Sequence, residues 1–538
     1  MNKKKLGTIL SGSLTQGFMM RISPDADLED IKTGKFVCIE GARYKFFSLI
    51  TDLSIEVTHP DILLFPPTPQ EKLLMSMLKQ KDIYATATLK PMLMLDHEQR
   101  PMPVKTIPGH FALVHEATHK DVALIFGDEA DETKKFFSIG YPLDMKTPVC
   151  LNLEKLTERS NGIFGKTGTG KTFLTRLVLA GLIKNDKAVN LIFDMHSEYG
   201  LQARKEGGGH SFVKGLKTLF PEKIVIFSLD PASTRRRGGM PDVELSLTYQ
   251  SVTVEDILSL QQELNLHATA LEAAYLIAAK YKQDWLEVLL NQGESLKEFA
   301  QELGAHPESI AALYRKLKRI ERLPFFKPAQ RMGAYKDQSV IDQMMEYIDK
   351  GKSIIIEFGN YTSTFVYLLI ANMISRRIHS LYIEKTEKFL GSQRKEDEPK
   401  KLMITIEEAH KFLNSQTARQ TIFGIIAREM RKYYVSLLVV DQRPSEIDEE
   451  IISQIGTKIV AQLNDEKDIQ AVLTGVQGAH NLRTILASLD TKKQALLMGH
   501  ALTMPVVVQT REYDEEFYRA MGDSLTKEHI ETFIKEIF

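Results

Sequence analysis

The eight residues Gly165-Lys166-Thr167-Gly168-Thr169-Gly170-Lys171-Thr172 fill every fixed position of the phosphate-binding pattern G-x-x-x-x-G-K-[ST]. A loop of this kind grips the phosphates of a nucleoside triphosphate. Its glycines let backbone N–H groups close around phosphate oxygens, and the helix that follows adds its positive dipole end. Lys171 then reaches the β and γ phosphates, and the Thr172 hydroxyl a magnesium ion. Turnover also needs one carboxylate for the metal shell and another to orient and deprotonate water. Leu402 to His410 supplies an apolar strand ending in two adjacent acids, Glu407 and Glu408. This is the Walker B arrangement, with Glu where Asp is commonest. Successive strand side chains point to opposite faces, so Glu407 is assigned to the magnesium shell and Glu408 to the catalytic water. Gln442 ends the next apolar strand, Val435–Asp441, where a polar residue is placed to sense the γ-phosphate. Arg428, Arg431 and Lys432 end the helix between these strands. Arginines there can neutralise transition-state charge from their own or a neighbouring subunit, and spacing does not choose among them.

The elements that must position these groups follow from periodicity. Gly162-Ile163-Phe164 leads into the loop as a buried strand would, and Leu174, Leu177, Val178, Gly181 and Leu182 leave it at helical spacing. From about Leu151 strands alternate with helices, which predicts an α/β fold with a mostly parallel sheet covered on both faces. Ala188–Met195, Lys223–Leu229 and Ser353–Phe358 read as further strands, and a helix is expected from Thr362 to about Tyr382. The charged stretch Lys388–Lys401 reads as an exposed loop. Before Leu151 the chain shows short β-rich runs separated by turn residues, with Val122–Phe126 among the expected strands and one helical interruption over 66–80. Many short strands at this spacing predict a small barrel. The expected organisation is a β-barrel over 1–150, the first part of the core over 151–250, a helical subdomain over 251–330, the second part of the core over 331–510 and a helical tail over 511–538.

Composition narrows the function classes. The 538 residues carry 69 Lys plus Arg against 70 Asp plus Glu, so any nucleic acid must be held by a local basic surface. Cys38 and Cys150 are the only cysteines and sit in apolar runs, which predicts core thiols in a reducing compartment. No apolar run of about 18 residues occurs, so no membrane segment is expected and the protein is read as cytoplasmic. His196 and His410 have no Cys or His partner at metal-ligand spacing, which argues against zinc.

Taken together, four stretches resemble the HerA branch of the HerA–FtsK ATPases: Gly165–Thr172, Glu407-Glu408-Ala409-His410, Ala427–Tyr433 and Asp441-Gln442-Arg443-Pro444-Ser445. Leu6–Leu10 is similar to the opening of that family's N-terminal HAS barrel, and Phe193–Tyr199 to its segment after the second core strand. The resemblance implies a RecA-like P-loop NTPase core behind a small barrel. It further implies a homohexameric ring that uses ATP and magnesium to move double-stranded DNA, working with a nuclease or a sirtuin-like effector in repair or phage defence. The effector would dock near the barrel. Carried over residue by residue, Arg159 resembles the family's arginine reaching a neighbour's nucleotide, and Arg431 its second arginine at the γ-phosphate. Two positions depart from the pattern: Ser160 stands where His is frequent, and Met430 where Gly is frequent. DNA contact would need a basic surface along the hole, and Arg235-Arg236-Arg237-Gly238-Gly239 reads as a flexible basic loop suited to it. The alternative is a nucleotide-dependent ring scaffold that docks and activates an effector with little translocation. A secretion-type pump is disfavoured by the lack of membrane segments.

Overall fold

Short strands rich in β-branched and aromatic residues build the first part of the chain, as their propensity to sit on a half-buried pleated surface dictates. The computed structural model describes residues 4–522 except 60, 65–69, 72–76, 79–81, 132, 144, 205–211, 329–339, 477–478 and 490–492. It divides into two compact units, Met1–Asn152 with Leu497–Arg511, and Leu153–Leu496 with Glu512–Phe538.

In the first unit β1 (Lys5–Ser13), β2 (Gly17–Ile22), β3 (Phe36–Glu40), β4 (Lys45–Val57), β5 (Ile83–Leu95) and β6 (Leu113–Glu116) form a sheet in the order β2-β1-β6-β3-β4-β5. A further pairing of β2 with β5 closes it into a barrel, which leaves no free edge, and β7 (Phe136–Pro142) pairs antiparallel with β8 (Val149–Asn152). Ile9, Phe18, Met20, Val37, Ile39, Phe46, Ile50 and Leu89 fill the interior. The outer half of β4 is exposed, with Ile55 80% exposed, while Ala85, Thr86 and Ala87 opposite it on β5 are buried. Cys38 and Cys150 are both buried free thiols, as their apolar settings predict.

One expected strand is a helix. Val122–Phe126 lies in α1 (His119–Phe126), because Thr118 and Asp121 form a reciprocal capping box that starts a helix there. The apolar run packs as one helical face, not as alternating strand positions. The helical interruption expected over 66–80 falls largely outside the described residues.

The second unit holds the α/β core. Its strands are β9 (Asn161–Phe164), β10 (Val189–Asp194), β11 (Ile224–Ser228), β12 (Ser353–Glu357), β13 (Leu402–Glu407), β14 (Val435–Asp441) and β15 (Thr457–Val460). They pair in parallel in the order β11-β12-β10-β13-β14-β9-β15. These strands are almost wholly buried because helices cover both faces, which is why their sequences read as continuous apolar runs. Parallel pairing brings all the carboxyl ends to one edge: Phe164 lies opposite Asp441, and Asp194 opposite Glu357.

Four helices matter for the site. α2 (Lys171–Lys184) follows the phosphate loop, α3 (Pro231–Arg236) follows β11, α4 (Thr364–Ser392) follows β12, and α5 (Ile422–Glu429) precedes β14. Ser363 caps α4, which runs ten residues past the expected end at Tyr382 and takes in the start of the charged stretch read as a loop. Its charges are tolerated because this last part lies on the surface, where Lys388 and Asp397 pair at 2.8 Å. Helices make up most of the span from Ser251 to Glu321, and Arg376 of α4 anchors it by a bidentate pair to the fully buried Asp256, at 2.8 and 3.0 Å. In the tail the described helix is Glu515–Ala520, and residues beyond 522 lie outside the description. No described helix is long and apolar enough to cross a membrane.

Candidate nucleotide-hydrolysis site

The phosphate loop leaves β9 at the carboxyl edge of the sheet, the position at which open α/β sheets bind ligands. Gly168 and Gly170 adopt φ of 80° and 90°, the left-handed region that a side chain disfavours, and this lets the loop curl back before α2 begins. Gly170 is the N-cap of α2 and makes no side-chain cap, so first-turn N–H groups are left for an external anion. Lys171 Nζ donates to the carbonyl of Lys166 at 3.1 Å, which folds the cation over the loop.

The two acids end β13 as expected, in different surroundings. Glu407 is buried, its Oε1 accepts from the Tyr199 hydroxyl at 2.7 Å, and its Oε2 has no hydrogen-bond partner among the described residues. The Tyr367 hydroxyl from α4 clamps the Glu407 backbone, accepting from its N–H at 2.9 Å and donating to its carbonyl at 3.1 Å. Burial, with the charges of Asp194, Glu198 and Glu408 adding to it against the Tyr199 hydrogen bond, pushes the Glu407 carboxyl up to about 8. Glu408 is partly open to solvent and holds φ of 50°, an uncommon value for a non-glycine residue and one that marks functional turns. Gln442 Nε2 lies 3.3 and 3.4 Å from its two carboxylate oxygens, while Gln442 Oε1 accepts from Thr167 of the phosphate loop at 2.6 Å. One amide thus bridges the loop and the acid.

Asp441 fixes the turn that carries Glu408. Its carboxylate accepts from the His410 N–H at 2.7 Å, from the Arg443 N–H at 2.7 Å, and meets His410 Nδ1 at 2.9 Å. Burial alone would lower the His410 pKa, but the hydrogen bond to Asp441 and the charges of Asp441, Glu408 and Glu446 outweigh it, so the imidazole titrates above its ordinary value. His410 is therefore an anchor for this turn. Among the described residues no group of three or more His, Cys, Asp or Glu could hold a metal.

Glu198 is the site residue that sequence spacing missed. Its carboxylate accepts from the Thr172 hydroxyl at 2.8 Å, so a third acid stands at the threonine expected to hold magnesium. The signal was its place just after β10, but its meeting with Thr172 depends on the strand order. Thr172, Glu198 and the unpaired Glu407 Oε2 form an oxygen-only donor set, which fits a small hard cation that keeps most of its ligands as water and phosphate.

Asp194 and Glu407 make stability depend on pH. Burial and then the neighbouring Glu357 charge raise Asp194 to about 6. Both groups hold a proton more tightly folded than unfolded, so the stability they contribute is fully present below their ordinary values and is lost as pH rises through about 6 and about 8. Without nucleotide or metal, Glu407→Gln cannot ionise and is expected to flatten the fall in Tm between pH 5 and 8. Thermal melts across that range check it, and an unchanged slope contradicts a neutral Glu407.

The arginines separate. Arg159 precedes β9 at the end opposite the phosphate loop, its side chain against Gly456. Four strand residues at about 3.3 Å each hold it roughly 13 Å or more from its own loop. The side chain of Arg431 lies outside the described residues. Arg428 is engaged within its own chain, with Glu450 at 3.3 Å and the Ala418 carbonyl at 3.2 Å. Arg235-Arg236-Arg237 is not a flexible loop: Asp230 caps a helix with Pro231 in its first turn, and the arginines form the end of α3. Arg235 pairs with Glu244 at 2.6 Å, and Arg237 with the buried Glu357 at 2.7 Å. Arg235 and Arg236 are exposed.

Residues 137–378 match the family described as helicase HerA, central domain. The chain is 23% identical over 427 residues to the DNA double-strand break repair helicase HerA of Pyrococcus furiosus, covering 75% of this chain and 73% of that one. It is 24% identical over 503 residues to the protein of the same name from Sulfurisphaera tokodaii, covering 90% and 89%. Among solved structures it is similar to VirB4 of Thermoanaerobacter pseudethanolicus, at 14% identity and a TM-score of 0.44, covering 71% of this chain and 98% of that one.

Proposed function

We propose that this chain, whose residues 137–378 match the helicase HerA central-domain family, is an ATP-driven translocase of double-stranded DNA that works as a ring of six copies. The observation that carries the reading is the bridge from Thr167 through Gln442 to Glu408, which ties the phosphate grip to the general base. Lys171 binds the β and γ phosphates. Glu408 orients water in line with the γ-phosphate and takes its proton. Gln442, held by both, registers whether the γ-phosphate is present. Magnesium would be held by Thr172 and Glu407, with Glu198 beside them, and when bound would offset the negative charge of the phosphates. A site that far from its own Arg159 takes its arginine from the next copy in the ring, and Arg431 is assigned to the γ-phosphate.

Duplex DNA would run along Arg235 and Arg236, whose exposed guanidiniums suit sequence-independent phosphate contact. An effector, a nuclease or a sirtuin-like enzyme acting in repair or phage defence, would dock on the barrel. Exposed apolar residues there, Leu53 and Ile55 on β4 and Leu63 and Leu64 in the short helix Asp61–Leu64, support this placing and also favour the second reading, a ring scaffold for an effector.

ATP hydrolysis with and without duplex DNA separates the two. Translocation predicts strong stimulation that is largely lost when Arg235→Ala and Arg236→Ala are combined. Arg237 is left in place because it neutralises a buried carboxylate. Intact rings that bind a partner but ignore DNA would favour the scaffold.

A further inference from the structure

Behind the nucleotide site lies a buried polar network that the hydrolysis chemistry does not itself require. Asp194 and Glu357 end neighbouring strands β10 and β12 in register, and both are fully buried. Asp194 accepts three successive backbone N–H groups, from Glu198 at 2.7 Å, Tyr199 at 2.9 Å and Gly200 at 3.2 Å. This fixes the turn from which Glu198 reaches Thr172 and Tyr199 reaches Glu407. Arg176 of α2 adds a hydrogen bond to the Glu198 carbonyl.

Glu357 is the other half of the network. Its Oε2 accepts from Thr234 at 2.8 Å and from Arg237 at 2.7 Å, both belonging to α3 or its cap. Its Oε1 has no hydrogen-bond partner among the described residues and points at the same turn, where a Cβ on Gly200 would stand 2.7 Å from it. Two buried carboxylates side by side repel unless a cation holds one of them, and removing that cation leaves an uncompensated buried charge. Arg237 is the cation paired with Glu357, and its guanidinium is the partly exposed end of the chain of contacts.

We propose that Arg237 is a positioning residue for ATP hydrolysis: by holding Glu357 away from Asp194 it keeps the Glu198-Tyr199 turn seated against Thr172 and Glu407. The role rests on the reading of this site as an ATPase site and extends it 120 residues along the chain from Arg237 to Glu357. In this role Arg237 contacts Glu357 and not the phosphate loop or the two acids at the end of β13. It acts on how well Glu198 and Glu407 are aimed.

The test uses the full chain, without DNA, in steady-state ATP hydrolysis. Arg237→Met is expected to lower kcat about tenfold or more, the effect typical of a lost positioning partner, with KM for ATP within about twofold because the phosphate loop is untouched. Arg237→Lys, which keeps the charge, is expected to recover most of kcat. In a Glu198→Gln background Arg237→Met should add little further loss, because both act through one turn. Full kcat in Arg237→Met, or a loss that multiplies undiminished with Glu198→Gln, overturns the proposal. Should Arg237→Met melt out, Gly200→Ala carries the test, since its methyl presses on Glu357 from the other side and predicts the same kcat loss at unchanged KM. A parent chain that hydrolyses ATP but ignores DNA leaves this test intact. A parent that hydrolyses no ATP defeats the reading of the site itself.

Discussion

Glu408→Gln is expected to bind ATP as tightly as the parent and to hydrolyse it about 10²–10⁴-fold more slowly, the range general-base catalysis supplies. The amide keeps the shape and its contact with Gln442 but cannot accept a proton from water. Glu408 is suited to the base role because it is partly open, sits on a turn of positive φ and is bridged through Gln442 to Thr167 of the phosphate loop. Glu407, buried and pushed up to about 8, already holds a proton near neutrality and so cannot take one from water, but it is a ready ligand once a cation displaces that proton. Single-turnover hydrolysis beside a fluorescent-nucleotide binding isotherm separates the two steps. Near-parental turnover in Glu408→Gln would move the base to Glu407 or Glu198.

Lys171→Ala is expected to weaken nucleotide binding by about 10–100-fold, the value of one charge-assisted phosphate contact of roughly 1.5–3 kcal/mol, and to abolish measurable hydrolysis. The ligand-free contact of Nζ with the Lys166 carbonyl places the cation over the loop, so little reordering precedes its move to phosphate. The same variant reports on Arg159. Neither Lys171→Ala nor Arg159→Ala chains alone should turn over ATP at the parental rate. Mixed rings should recover hydrolysis, because an interface between an intact Lys171 and a neighbour's intact Arg159 is complete. Mixtures no better than their components would place Arg159 outside the site.

Much of the site was legible because its parts are local. A phosphate loop needs its glycines and lysine at fixed spacing whatever surrounds it, and an apolar run closed by two acids reads as a buried strand ending at a site. The end of α3 is a helix, not a loop, and its signal is local: Asp230 followed by Pro231 is a helix start that outweighs the run of three arginines. Val122–Phe126 is helical for a similar reason, since the Thr118 and Asp121 capping box starts a helix just before it.

By itself the sequence determined the α/β core, the closed β-rich unit, the grip on phosphate and the pair of acids, since each depends on neighbours within a few residues. The tertiary structure alone decided which acid is buried and which is open, that Glu198 joins Thr172, that Arg159 faces away from its own loop, and that Arg237 neutralises Glu357. Those facts depend on strand order. In a parallel sheet, residues hundreds of positions apart meet at one edge, and the burial they find there, not their spacing, sets their charge and their role.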